Sequence, residues 1–162
     1  MPKTIETVVY QFKELNDKAK EKARAWYLEA TDDCEFAFED QKTDAEEIGL
    51  KIEFLSAREP NSGSFIYSAI KCAESIIANH GDDCDTYKAA KAFIVSTAAL
   101  NAESDDYEDA METLEKEFLH AILEDYRVNY EKDCEYRQSD EYVDETIEAN
   151  DYTFTESGKR FG

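Results

Sequence analysis

Carboxylates are the residues of this chain with chemistry to offer. There are 39 Asp and Glu against 18 Lys and Arg in 162 residues, a formal charge of −21. They come in blocks: residues 29–47 hold nine acids and one base, 101–117 eight and one, and 118–151 eleven and three. At helical spacing Asp105, Asp109 and Glu112 form one row and Glu108, Glu112 and Glu115 another, with Asp106 beside them. Glu124, Asp125, Glu131 and Asp133 continue the acidic run. Like charges one turn apart cost a few tenths of a kcal/mol per pair, and Lys116 and Lys132 relieve few of them. Four helical residues rise about 6 Å, and the phosphates of one strand step ~3.4 Å along a duplex. A carboxylate row therefore has spacing of the same order as a phosphate row and can occupy a protein's nucleic-acid groove. The bland alternative is a solvated helix face kept acidic for solubility. Three acidic blocks in so small a chain bring the two readings level.

Other chemistries find less support. Cys72, His80 and Cys84 lie close in sequence beside Asp82, Asp83 and Asp85. They lack the paired two-to-four spacing of a zinc site and the alternating oxygen ligands around a glycine of a calcium loop. The aspartates are better read as neutralising a helix start. His80 and His120 are the only histidines, and His120, between Leu119 and Ala121, is expected to pack in the core. Five glycines supply no phosphate loop, dinucleotide fingerprint or nucleophile elbow. No catalytic residue, metal or cofactor is expected, and Trp26-Tyr27 reads as a helix anchor.

Apolar content of 42% and aromatic content of 12% argue for a folded core, because disorder needs low hydrophobicity as well as high charge. The four cysteines are spread out with no Cys-x-x-Cys pair. The first residues form no apolar leader, and the uncharged stretch 92–102, which no other exceeds in length, is too short to span a bilayer. These features predict a cytoplasmic protein with reduced thiols. Anionic membranes and nucleic acid itself would repel it. Lys13, Lys18, Lys20, Lys22 and Arg24 read as internal partners for an acidic second helix or for a second subunit.

The elements that must position the carboxylates follow from periodicity. Thr7–Phe12 reads as a strand, and Asn16 caps a helix over 17–31 whose stripe is Ala19, Ala23, Trp26, Tyr27 and Ala30. Asp32 or Asp33 caps a second helix carrying Phe36 and Ala45 to a stop at Gly49. Leu50, Ile52 and Phe54 alternate with charges as a strand over 50–55, expected to pair with the first in a β-α-α-β unit over about 7–55. Residues 57–64 read as a loop. Helices are expected over 65–79, with Ile66, Ala69, Ile70, Ala73 and Ile77 on one face, and over 85–100, burying Tyr87, Ala90, Ile94 and Ala98. Ser104 starts a long helix toward Tyr136 with the stripe Tyr107, Met111, Leu114, Phe118, Ala121 and Ile122. Ser139 starts a last one burying Val143 and Ile147, ended by Asn150. Residues 152–154 are extended, with a turn at Gly158. The expectation is one α+β domain, mostly α, with a small two-stranded sheet near the N-terminus, about six helices and a helical part over about 65–150. A helix that long with an apolar stripe exceeds what one domain covers, so a homodimer is also expected.

Two segments add a resemblance. Glu6 to Tyr27 (Glu-Thr-Val-Val-Tyr-Gln-Phe-Lys-Glu-Leu-Asn-Asp-Lys-Ala-Lys-Glu-Lys-Ala-Arg-Ala-Trp-Tyr) resembles the start of a family of small acidic proteins of tailed bacteriophages and prophages. Ser139 to Phe161, with its Asn-Asp-Tyr-x-Phe-Thr-Glu-x-Gly-Lys-Arg-Phe run, is similar to their closing segment. Some members are called antitoxin-like, and no catalytic residues carry over. Many have a Gly- and aromatic-rich middle where this chain has the helical stretch 65–100. The resemblance implies a phage accessory protein in the bacterial cytoplasm, a setting in which small acidic proteins often block host nucleases. Charge and resemblance together lead us to expect a non-enzymatic nucleic-acid mimic whose partner is a basic, nucleic-acid-binding defence protein of the restriction or CRISPR type. In that role Asp105, Asp106, Glu108, Asp109, Glu112 and Glu115 would make the contact, supported by Glu124, Asp125, Glu131 and Asp133, with Tyr107 or Tyr130 as exposed anchors. The alternative is an antitoxin-like or assembly protein that binds a basic protein surface.

Overall fold

A computed structural model describes residues 2–56 and 58–161. In chain order the elements are β1 (Tyr10–Gln11), α1 (Asp17–Ala30), α2 (Asp33–Glu47), β2 (Leu50–Phe54), β3 (Ser62–Phe65), α3 (Ala69–Asn79), α4 (Asp85–Ala98), α5 (Tyr107–Arg137), α6 (Asp140–Ala149), β4 (Thr153–Phe154) and β5 (Arg160–Phe161). The fold is α+β and mostly α. The chain divides into two compact units, one built from residues 1–36 and 133–162 and the other from 37–132.

In the first unit the two chain ends fold together. Asn16 Oδ1 accepts from Ala19 N at 2.8 Å and starts α1, and Ser139 Oγ accepts from Tyr142 N at 3.3 Å and starts α6. Side-chain oxygens at this position satisfy donors that a helix start leaves unpaired. The apolar faces so aligned meet in a core of Phe12, Leu15, Ala19, Ala23, Tyr27, Val143, Ile147 and Phe154, flanked by Tyr10, Trp26 and Tyr152. Trp26 is the expected anchor, edge-on to Tyr152 at 5.2 Å and to Phe154 at 5.8 Å. The sheet order is β1-β4-β5, with Tyr10 opposite Phe154 and Phe154 opposite Arg160. At Gly158, φ is 91° and a Cβ would lie 2.1 Å from the carbonyl oxygen of Ala19. Only glycine allows the closing turn to approach α1 so closely. Arg24 bonds Asp144 through Nε (2.7 Å) and Nη2 (2.9 Å), so its internal partner is the last helix and not the second.

The second unit centres on Ile48, Leu50, Ile52, Cys72, Ile76, Phe93, Phe118, Ile122, Leu123 and Tyr126. Phe93 stacks on Phe118 with centroids 4.6 Å apart, and Phe65 lies 5.7 Å away on the same ring. Gly49, at φ 81°, turns the chain out of α2 into β2. The expected pairing of the first strand with 50–55 does not form. β2 pairs instead with β3, Leu50 opposite Phe65, inside the stretch read as a loop, and only Tyr10 and Gln11 of the first strand are paired, with β4. Gly63 and the two serines of β3 gave that segment a turn composition, yet β2 needs a backbone partner. Ala57, within the expected loop, lies outside the described residues.

Several faces also differ. α3 starts at Ala69 and buries Ala69, Cys72, Ala73 and Ile76, leaving Ile66 and Ile70 exposed. α4 buries Thr86, Ala90 and Phe93, with Ala98 exposed. Phe36 is 61% exposed.

Candidate partner-binding surface

The expected long helix is continuous: α5 runs for 31 residues, about 46 Å at ~1.5 Å per residue. Its start lies two residues later than expected. Asp105 and Asp106 sit in the preceding turn, where Ser104 O accepts from Tyr107 N at 3.1 Å and Ser104 Oγ from Asp106 N at 3.3 Å. The Asp106 carbonyl then takes the first helical bond, from Ala110 N at 2.9 Å. The row at helical spacing therefore begins at Glu108.

Over its first eleven residues α5 has no fully buried side chain; Phe118 is the first. Asp105, Asp106, Glu108, Asp109 and Glu112 are exposed and Glu115 is half-buried. A single lysine offsets the row, with Lys116 Nζ 3.0 Å from Glu112 Oε1. Negative charge at a helix N-terminus is favoured by the backbone dipole, by about 0.3–1 kcal/mol per group. That term offsets the mutual repulsion and lets the acids stay crowded.

Further along α5 three of the expected carboxylates, Glu124, Glu131 and Asp133, have internal partners. Arg127 is the organiser. Its Nε donates to both Glu124 oxygens at 2.9 Å and its Nη1 lies 2.7 Å from Glu131 Oε2. Asn61 Nδ2 donates to Glu124 Oε2 at 3.1 Å. The Arg127 hydrogen bond holds the Glu124 carboxyl below its ordinary pKa. Asp133 Oδ1 meets Arg137 Nε at 3.1 Å. Asp125 is raised above its ordinary value, first by burial and then by the nearby Asp85, with His80 and Lys132 acting the other way. The four residues expected to support the outer row thus divide differently: Glu124, Glu131 and Asp133 hold cations of this chain, and Asp125 is half-buried. Neither Arg127 nor Asn61 stood out in the sequence. The Glu-x-x-Arg-x-x-x-Glu spacing on one helix was the available signal for the first, and the second contact spans 63 positions.

Two expected roles change with the coordinates. Tyr130 is no exposed anchor, because its ring packs edge-on against Phe38 at 5.7 Å; Tyr107 is half-exposed. His120 lies on the exposed side of α5 and not in the core, since it falls opposite Phe118 and Ile122 on a 3.6-residue period. Cys72 is buried, His80 Nδ1 bonds Thr86 Oγ1 at 2.6 Å, and Cys84 is exposed. Among the described residues no group of three or more His, Cys, Asp and Glu could hold a metal ion, and no helix is long and apolar enough to cross a membrane. The chain matches no protein-family model, no curated protein and no solved structure.

Proposed function

We propose that this chain is a phage-encoded, non-enzymatic inhibitor of a bacterial defence system of the restriction or CRISPR type. It works in the host cytoplasm as an acidic stand-in for nucleic acid. The observation that carries the reading is the entry to α5: Asp105 and Asp106 in the preceding turn and Glu108, Asp109 and Glu112 on the helix are all exposed, with Glu115 half-buried, and no side chain of this stretch is fully buried. Such a segment contributes little to the core and keeps its charge outward at a cost in repulsion. A cationic groove that normally holds phosphates would gain counterion release and electrostatic steering from it. The expected result of titrating the chain against purified restriction and CRISPR complexes is binding that weakens steeply between low and high salt. Affinity unchanged by salt would contradict the reading.

A second reading has its own support. Ile66, Tyr67 and Ile70 form a run of exposed apolar side chains in the second unit, Tyr67 at 76%. A polyanion mimic does not need this, whereas an antitoxin-like or assembly protein gripping a basic protein partner or a second copy would use it as an anchor. Competition separates the two, because duplex DNA or guide RNA displaces the partner only under the first.

A further inference from the structure

In the first unit α1 and the closing turn border a cleft of about 500 Å³ lined by Lys22, Ala25, Trp26, Glu29, Lys159 and Arg160. Residues 22, 25, 26 and 29 recur at spacings of three and four, so one face of α1 carries all four side chains. Across from them the turn is pinned, with Gly158 N donating to Thr155 O at 2.9 Å and Thr155 N to Lys159 O at 2.8 Å. Arg160 is held by two kinds of contact. Its guanidinium lies over the rings of Trp26, 5.6 Å from the centroid, and Tyr152, at 4.9 Å. Its Nη1 donates to Thr153 O at 3.0 Å. That bond uses one donor of a rigid fork. Lys22 and Lys159 are exposed. Among the described residues none of these three cations is in an ion pair, Glu29 of the same lining included. The cleft therefore carries a formal charge of +2 in a chain of −21.

We propose that this cleft binds a phosphate monoester carried on a planar ring, a nucleoside monophosphate being the simplest of the class. The fork of Arg160, already oriented by its rings and its carbonyl, is suited to two phosphate oxygens at once, and Lys22 and Lys159 add mobile point charges from either side. A phosphate monoester at neutral pH brings a charge of about −1.5 to −2 and three acceptor oxygens, which matches the charge of the cleft. Ala25 and Trp26 offer the ring an apolar wall, and Glu29 offers an acceptor to its hydroxyl or amino groups. The volume falls in the range of roughly 300–1,000 Å³ found for small-molecule sites. With a Debye length of about 8 Å at physiological salt, a ligand seated here answers to the charges lining the cleft more than to the net charge of the chain. The site belongs to the first unit and the acidic row at the entry to α5 to the second, so it stands apart from the polyanion reading.

The test uses Trp26, the only tryptophan of the chain, as its own reporter. Its fluorescence is titrated in the full-length protein with adenosine monophosphate at constant ionic strength, beside adenosine and inorganic phosphate, and equilibrium dialysis measures the same binding independently. Expected is saturable binding of adenosine monophosphate, with adenosine and inorganic phosphate each weaker by roughly ten-fold or more, the loss of at least one charge-assisted hydrogen bond or of the ring contact. Because Arg160 also packs against Trp26, the decisive variant is Lys22→Ala/Lys159→Ala, which changes two exposed side chains. It should weaken adenosine monophosphate by roughly ten-fold with the circular dichroism spectrum and melting temperature retained. No retention of adenosine monophosphate in dialysis, adenosine or inorganic phosphate binding as tightly as the monophosphate, or unchanged affinity in the double variant would each overturn the assignment.

Discussion

Arg127 determines which carboxylates along α5 are left for anything outside the molecule. By binding Glu124 and Glu131 on either side of itself, it converts the middle of the acidic run into an internal clamp, while the start of the helix has only the Lys116–Glu112 pair to offset its acids. Glu124 has a depressed pKa, so its stabilising contribution is complete above the ordinary glutamate value near ~4.3 and is lost as pH falls through its folded value. Glu124→Gln is therefore expected to lower stability at pH 7 by roughly 0.2–1 kcal/mol, the range of partly exposed ion pairs. The difference should vanish in acid, as read by denaturant midpoints across pH. Asp125 has the opposite sign. Its raised value means that the ionised form costs stability above that value, and the cost disappears as pH falls through it. Asp125→Asn should raise the melting temperature at pH 7, with the gain shrinking as pH falls; no gain at neutral pH would contradict the assigned cause. At this scale the outer acids Glu108, Asp109 and Glu112 were legible from spacing alone. Arg127's clamp and the exposure of His120 were not, because a stripe of apolar letters does not say where the burial arc ends.

Helix ends were the best-read elements. Asn16, Ser139 and Asn150 all stand where caps were expected, since a cap is a local event between a side chain and a backbone amide three residues away. Ser139→Ala should cost about 1 kcal/mol, measured as a shift of the urea midpoint at unchanged slope. Strand pairing was read less well. β1 and β4 have two paired residues each and β3 is half serine, too short and too polar to announce partners. Pairing is non-local, so the two N-terminal runs that looked complementary went to different sheets. α5 was legible as a single long helix because its Tyr107-to-Ile122 stripe keeps the helical period across a segment that is acidic throughout.

Across the described residues the buried side chains gather in two cores. The segments 6–27 and 139–161 lie in the same unit and build its core. Phe154→Ala, removing a ring with no exposed surface, should cost about 3–5 kcal/mol by equilibrium unfolding. The net charge of −21 is distributed so that the bases concentrate on α1 while the uncompensated acids crowd the entry to α5. That asymmetry was visible in the composition blocks; its narrowing to one helix end needed the ion pairs. Neutralising Asp105, Asp106, Glu108, Asp109, Glu112 and Glu115 to Asn and Gln together removes the proposed polyanion and leaves the core of the second unit intact. The decisive measurement is the salt dependence of binding by this variant and by the parent chain to purified restriction and CRISPR complexes, with duplex DNA as competitor. The account predicts that the parent loses affinity steeply with salt and is displaced by DNA, while the variant binds at least ten-fold more weakly with a shallow salt slope. Equal affinity and equal slope for the two proteins would contradict it.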